Sequence, residues 1–90
     1  MRENEDNKLL MHLTNLHTTE LGIVRIRRNL GLEETIDVVS WCRKQIERDD
    51  ANIHREGKNW YIQSDEIQIT VNAYSYTIIT AHRKNGVKRV

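Results

Sequence analysis

The sequence predicts an α+β domain, with about three N-terminal helices packed on one face of a four-stranded antiparallel β-meander. Three observations carry that expectation. Leu9, Leu13 and Leu16 recur at helical spacing, and two more stripes of the same period follow before residue 50. From Ile53 to Arg83 the period drops to two: β-branched and aromatic residues alternate between short clusters of turn-forming residues. Finally, 90 residues suit one domain, and a chain this short buries too little surface for two cores, so helices and sheet must share one.

Composition narrows the class further. A hydrophobic content of 38% with 30% charged residues is that of a soluble globular protein. The longest apolar run is too short to cross a bilayer and no charged-then-apolar leader opens the chain, so the expectation is a cytoplasmic protein without a membrane partner. Cys42 is the single cysteine, which excludes an intrachain disulfide and argues against a thiolate metal cluster. A net charge of +1 argues against coating nucleic acid by bulk electrostatics. Charge is uneven, however: from His54 to Val90 six Lys/Arg face three acids, and Arg25, Arg27 and Arg28 form a second knot.

In chain order, residues 1–7 are polar and expected to fray. Helices are expected over about residues 8–50. The first carries the leucine stripe with Leu10 and His17 beside it. The second is capped near Thr18-Thr19-Glu20, presents Leu21, Ile23, Val24, Ile26 and Leu30, and stops at Gly31. The third opens near Glu33-Glu34-Thr35 and buries Val39, Cys42 and Ile46, with acids at its start and Arg43, Lys44 and Arg48 near its end. The sheet occupies about 53–83, and a basic tail covers 84–90.

Turn chemistry sets the strand register. A Gly57-Lys58 turn pairs Ile53 with Ile62 and His54 with Tyr61. A Ser64-Asp65 turn pairs Ile62 with Ile67 and Trp60 with Ile69. An Ala73-Tyr74-Ser75 loop pairs Val71 with Thr77, Ile69 with Ile79 and Gln68 with Thr80. One face then gathers Ile53, Trp60, Ile62, Ile67, Ile69, Val71, Ile79 and Ala81, with Arg55 as a misfit extending to water. The other is polar and includes His54, Glu56, Tyr61, Gln68, Tyr76, Ile78, Thr80 and His82. Glu66 falls opposite His82, and His54, Tyr61, Gln68 and Thr80 form a row. A two-residue last loop would instead flip the final strand.

That polar face suggests a site. Cleaving RNA through its own 2′-hydroxyl needs a base, an acid and a cation on the phosphate, and no metal or cofactor. His54 and His82 are candidate proton carriers with Glu66 as orienter. Arg25, Arg28 and Lys58 suit phosphate, and Tyr61 and Tyr76 suit base stacking. The same residues equally suit a solvated antiparallel sheet. His17 reads as a half-buried residue capping the first helix or as a catalytic one. Cys42, Trp41 and Trp60 read as core. His12 and His17, five apart, do not share a helix face, and no zinc-protease or paired-cysteine spacing exists.

The motifs Asn15-(x)3-Thr19-Glu20-Leu21, Arg25-Ile26, Leu30-Gly31, Gly57-Lys58-Asn59-Trp60-Tyr61, Ile69-Thr70-Val71-Asn72 and Tyr76-(x)2-Ile79-Thr80 resemble an uncharacterised family of small bacterial proteins, a domain of unknown function. The resemblance covers most of Asn15 to Arg83 and implies an intracellular bacterial protein without conferring an activity. A looser likeness, in element order and in the Ile-Ile-Thr-Ala-His-Arg ending, runs to the barnase–colicin–RelE type of ribonuclease toxin. It implies metal-independent action on RNA and a cognate inhibitor protein, but transfers no catalytic residue. Two functions are therefore expected as rivals: a ribonuclease-like or toxin-like protein, or a non-catalytic module that binds protein or RNA, or dimerises, through the polar face.

Overall fold

The computed structural model describes residues 5–84; of the expected frayed start (1–7) residues 1–4, and of the basic tail (84–90) residues 85–90, lie outside the described residues, while 5–7 fall in the first helix. Helices α1 (Glu5–Met11), α2 (Glu20–Leu30) and α3 (Val38–Ile46) precede strands β1 (Asn52–Glu56), β2 (Asn59–Ser64), β3 (Ile67–Asn72) and β4 (Ile78–Arg83). The strands form one antiparallel sheet in the order β1-β2-β3-β4. The class is thus α+β, as the two periodicities predict.

Local chemistry sets the helix limits. The first stripe does not lie on one continuous helix: α1 ends at Met11 and a 3-10 turn follows over Leu13–Asn15. The His12 ring donates from Nδ1 to the Lys8 carbonyl at 3.0 Å, and its backbone N–H bonds Leu9 one residue short of the α pattern, at 3.1 Å. Leu9, Leu13 and Leu16 are all buried nonetheless. Helix α2 begins as expected, with the Thr19 hydroxyl accepting from Gly22 N at 3.0 Å, and ends at Gly31, whose φ of 68° is left-handed. Helix α3 starts at Val38, later than Glu33, because Asp37 caps it by accepting from Ser40 N at 2.9 Å. Hydrogen bonding from the Ser40 side chain and backbone holds the Asp37 carboxyl below its usual range.

Gly57 (φ 63°) turns the first hairpin, and Ile53 faces Ile62 with His54 facing Tyr61, as predicted. The second hairpin turns through Asp65-Glu66, with Asp65 at φ 61°, so Ile62 faces Ile69 and Trp60 faces Val71. The third pairing places Gln68 opposite His82 and Ile69 opposite Ala81. Each of these last two pairings is offset by two residues from its expected partner. An even slip preserves the faces while changing every neighbour along them.

The final strand departs from simple alternation. A bulge between Thr70 and Val71 brings Ile78 opposite Val71 and leaves Ile79 as the extra residue. Ile78 is therefore the core residue, at 1% exposure, and Ile79 faces outward at 48%, reversing the expectation. Trp60, Ile62, Ile69, Val71, Ile78 and Ala81 join Leu9, Ile26, Leu30, Val38, Cys42 and Ile46 in one buried cluster. Burial pushes the Cys42 thiol up to about 12.

Arg55 does not simply extend to water. Its guanidinium lies 5.7 Å from the centre of the Trp60 ring and 5.6 Å from that of Tyr74, and its Nε donates to the Gly57 carbonyl at 2.9 Å. The outer edge of β4 is closed by the segment before α2. Ile78 N donates to His17 O (2.7 Å), His17 N to Tyr76 O (3.2 Å), and the Thr18 hydroxyl to Ile78 O (2.8 Å). Farther along, Asn29 Nδ2 donates to Ala81 O at 3.3 Å. These bonds occupy groups that would otherwise offer a template for strand addition.

Candidate functional site

The hairpin registers build the outer face of the sheet as rows of side chains. Asn52, Gln63, Gln68 and His82 form one row across all four strands; His54, Tyr61, Thr70 and Thr80 form the next. Glu56, Asn59 and Asn72 make a shorter third row. Hydrogen bonds run within and between strands: Gln63 Nε2 donates to Gln68 Oε1 at 3.3 Å, and Asn59 Nδ2 to the Tyr61 hydroxyl at 3.3 Å. Thr70, central in its row, is 93% shielded by its neighbours' side chains. The row expected to contain Gln68 contains Thr70 instead, a direct result of the two-residue slip.

The predicted site residues are dispersed. His54 on β1 is exposed, with Nε2 3.4 Å from Glu56 Oε1. His82 on β4 is half-buried and bonds the Arg83 carbonyl through Nδ1 at 3.1 Å. β1 and β4 are opposite edges of the sheet and the two histidines stand in different rows, so three strand spacings, about 14 Å, are the least that separates them. Glu66 does not face His82. It sits in the β2–β3 turn, where its carbonyl accepts from Lys84 N at 2.7 Å, because the turn lies one residue later than expected. Lys58 is exposed in the first turn.

Tyr76 is not on the polar face. Its ring centre lies 5.3 Å from that of Trp60, a core residue, and 5.9 Å from that of His12. A left-handed backbone (φ 62°) in the last loop swings it there. Arg25 and Arg28 are exposed on α2. At about 100° per residue, Arg28 lies across the helix from buried Ile26 and Leu30, with Arg25 beside it. Neither arginine makes an ion pair among the described residues. Arg27, by contrast, is tied down, with Nη1 donating to the carbonyls of Glu33 (2.6 Å) and Ile36 (3.0 Å).

A second constellation escaped the sequence. His17 Nδ1 lies 3.0 Å from the Asn15 carbonyl and Nε2 lies 3.0 Å from Thr77 Oγ1, which is 2.7 Å from Ser75 Oγ. His17 and Thr77 are sixty positions apart in sequence and meet in an isolated parallel bridge. No local pattern announces such a pairing. The one signal available was the Asn72-Ala73-Tyr74-Ser75 turn chemistry, which fixes Ser75: Asn72 Oδ1 accepts from Tyr74 N (2.8 Å) and Ser75 N (2.9 Å).

Fold and surface together define a small α+β domain whose antiparallel sheet carries an outer face of amide, hydroxyl and imidazole groups. The chain belongs to the family described as "Protein of unknown function (DUF3781)", whose model matches residues 10–82. That span takes in α2, α3 and nearly the whole sheet, as well as both constellations. No curated protein and no solved structure matches the chain. Among the described residues, no helix is long and apolar enough to cross a membrane.

Proposed function

We propose that this protein is a binding module that holds single-stranded RNA, without cutting it, on the polar face of its sheet, the helices covering the opposite, apolar face. The observation behind this reading is the pair of rows, Asn52-Gln63-Gln68-His82 and His54-Tyr61-Thr70-Thr80, that crosses all four strands. Unpaired bases present hydrogen-bonding edges and flat rings, which amide, hydroxyl and imidazole groups around an aromatic side chain are suited to meet. Tyr61 is the stacking residue, a role that contributes roughly 1–3 kcal/mol per base. Lys58, exposed in the first turn at the rim, is the phosphate contact of this reading, and with so few cations the affinity falls only gently with salt. Fluorescence anisotropy with short single-stranded RNAs tests the proposal. Tyr61→Ala should weaken binding by about 5- to 150-fold, the equivalent of that stacking energy. Undiminished affinity in that variant, or no binding by the native chain, would rule the reading out.

A second reading, metal-independent cleavage of that RNA, has the His54–Glu56 contact of 3.4 Å in its favour. It predicts that replacing His54 and His82 together abolishes cleavage of a generic RNA. A double variant that still cuts at the native rate removes it.

A further inference from the structure

We propose that Thr77 is a nucleophile, activated by His17, that accepts an acyl group from an activated carboxylic ester. The assignment follows from which atoms can donate. A carbonyl oxygen only accepts, so the 3.0 Å contact with Asn15 O places the proton of the neutral His17 ring on Nδ1. Nε2 then carries a lone pair, and the hydroxyl that can meet it, 3.0 Å away, is that of Thr77. Thr77 Oγ1 and Ser75 Oγ lie 2.7 Å apart and either hydroxyl can donate. With the Thr77 proton directed at Nε2, Ser75 donates to Thr77 in preference to its longer contact with Asn72 Oδ1 (3.3 Å), which leaves one lone pair on the threonine oxygen for attack. Nucleophile, base and a third group orienting the base are thus in line, the arrangement that activates hydroxyl nucleophiles.

The surroundings hold this line and leave it open. Thr77 is half-buried and His17 exposed. The backbone bridge between them, His17 N to Tyr76 O and Ile78 N to His17 O, fixes both partners before any substrate arrives. Between Ser75 and Thr77 stands Tyr76 with φ 62°, a left-handed conformation that is unfavourable for an aromatic residue. Its ring contacts with Trp60 and His12 offset that cost. In the reaction, Thr77 Oγ1 bonds the acyl carbon while its proton passes to His17 Nε2. The imidazolium returns that proton to the departing alkoxide or phenoxide, leaving an acyl-threonine ester and a neutral ring. Water, deprotonated by the same Nε2, then releases the carboxylic acid and restores the hydroxyl.

The test is to incubate the full chain with p-nitrophenyl acetate and map adducts by peptide mass spectrometry before and after neutral hydroxylamine, which cleaves esters and spares lysine amides. The proposal requires one hydroxylamine-labile acetyl group on Thr77. It should be absent in Thr77→Val, retained in Thr77→Ser, and formed about 100-fold or more slowly in His17→Asn, which keeps a polar side chain but no base. Circular dichroism of each variant establishes folding, and the native chain alone suffices for a negative result. Acetylation confined to lysine amides, or a Thr77 ester that forms as fast without His17, would overturn it.

Discussion

Ile78→Ala and Ile79→Ala differ by one position and should differ several-fold in cost. Ile78 is 1% exposed, so truncation removes buried methyl groups and leaves a cavity, worth about 2–5 kcal/mol. Ile79 is 48% exposed. Half of its surface already meets water, and losing the remainder costs about 1 kcal/mol on the transfer scale. A domain of this size holds on the order of 5–15 kcal/mol in total, so the first variant should be severely weakened and the second nearly native. Urea unfolding followed by tryptophan fluorescence measures both, with the slope m unchanged. In thermal unfolding, where about 1 kcal/mol shifts Tm by 4–8 °C, Ile78→Ala should fall by roughly 10 °C or more. Equal costs, or a larger cost at Ile79, would mean that β4 alternates without a bulge and that the face assignment beyond Thr70 is wrong.

Asp37→Ala should cost about 1 kcal/mol at neutral pH through loss of the α3 cap. Because the Asp37 carboxyl is held below its ordinary value of 3.8, the stability it adds is complete above that value and lost as pH falls through the folded one. The gap between native and Asp37→Ala chains in urea should therefore close in acid, and a gap that persists there refutes the cap. Cys42, with its thiol raised to about 12, should resist a chromogenic disulfide reagent at pH 8 until urea unfolds the chain; rapid reaction of the native protein would contradict its burial. Ser64 is 1% exposed and its hydroxyl has no hydrogen-bond partner among the described residues. Ser64→Ala should be neutral or stabilising by up to about 1 kcal/mol in the same urea assay, and a marked loss would reveal a partner.

The parts of this fold that were legible in the sequence are those decided within a few residues. Thr19 and Gly31 delimit α2 because a hydroxyl cap and a left-handed stop are local devices. Gly57 fixed the first hairpin for the same reason. The second turn falls one residue later than turn chemistry predicts because Asp65 takes a positive φ that its side chain tolerates but does not advertise. An even slip then kept the greasy and polar faces while dissolving the Glu66–His82 pairing on which a catalytic reading leaned. Ile78 and Ile79 are chemically identical, so only the geometry of the bulge could decide which is buried. The His17–Thr77 contact was invisible for another reason: it joins the segment before α2 to the start of β4, sixty positions away.

That join has a consequence for the order in which the molecule can be made. The segment before α2 leaves the ribosome some sixty residues ahead of its bonding partners, Tyr76, Thr77 and Ile78. Loop closure over some sixty residues must precede any reward from those bonds, which slows the final step relative to forming the helices or the first hairpin. A nascent chain stalled before β4 would carry an unclosed β3 edge and a loose N-terminal segment. Such an intermediate is the species from which strand-mediated aggregation starts.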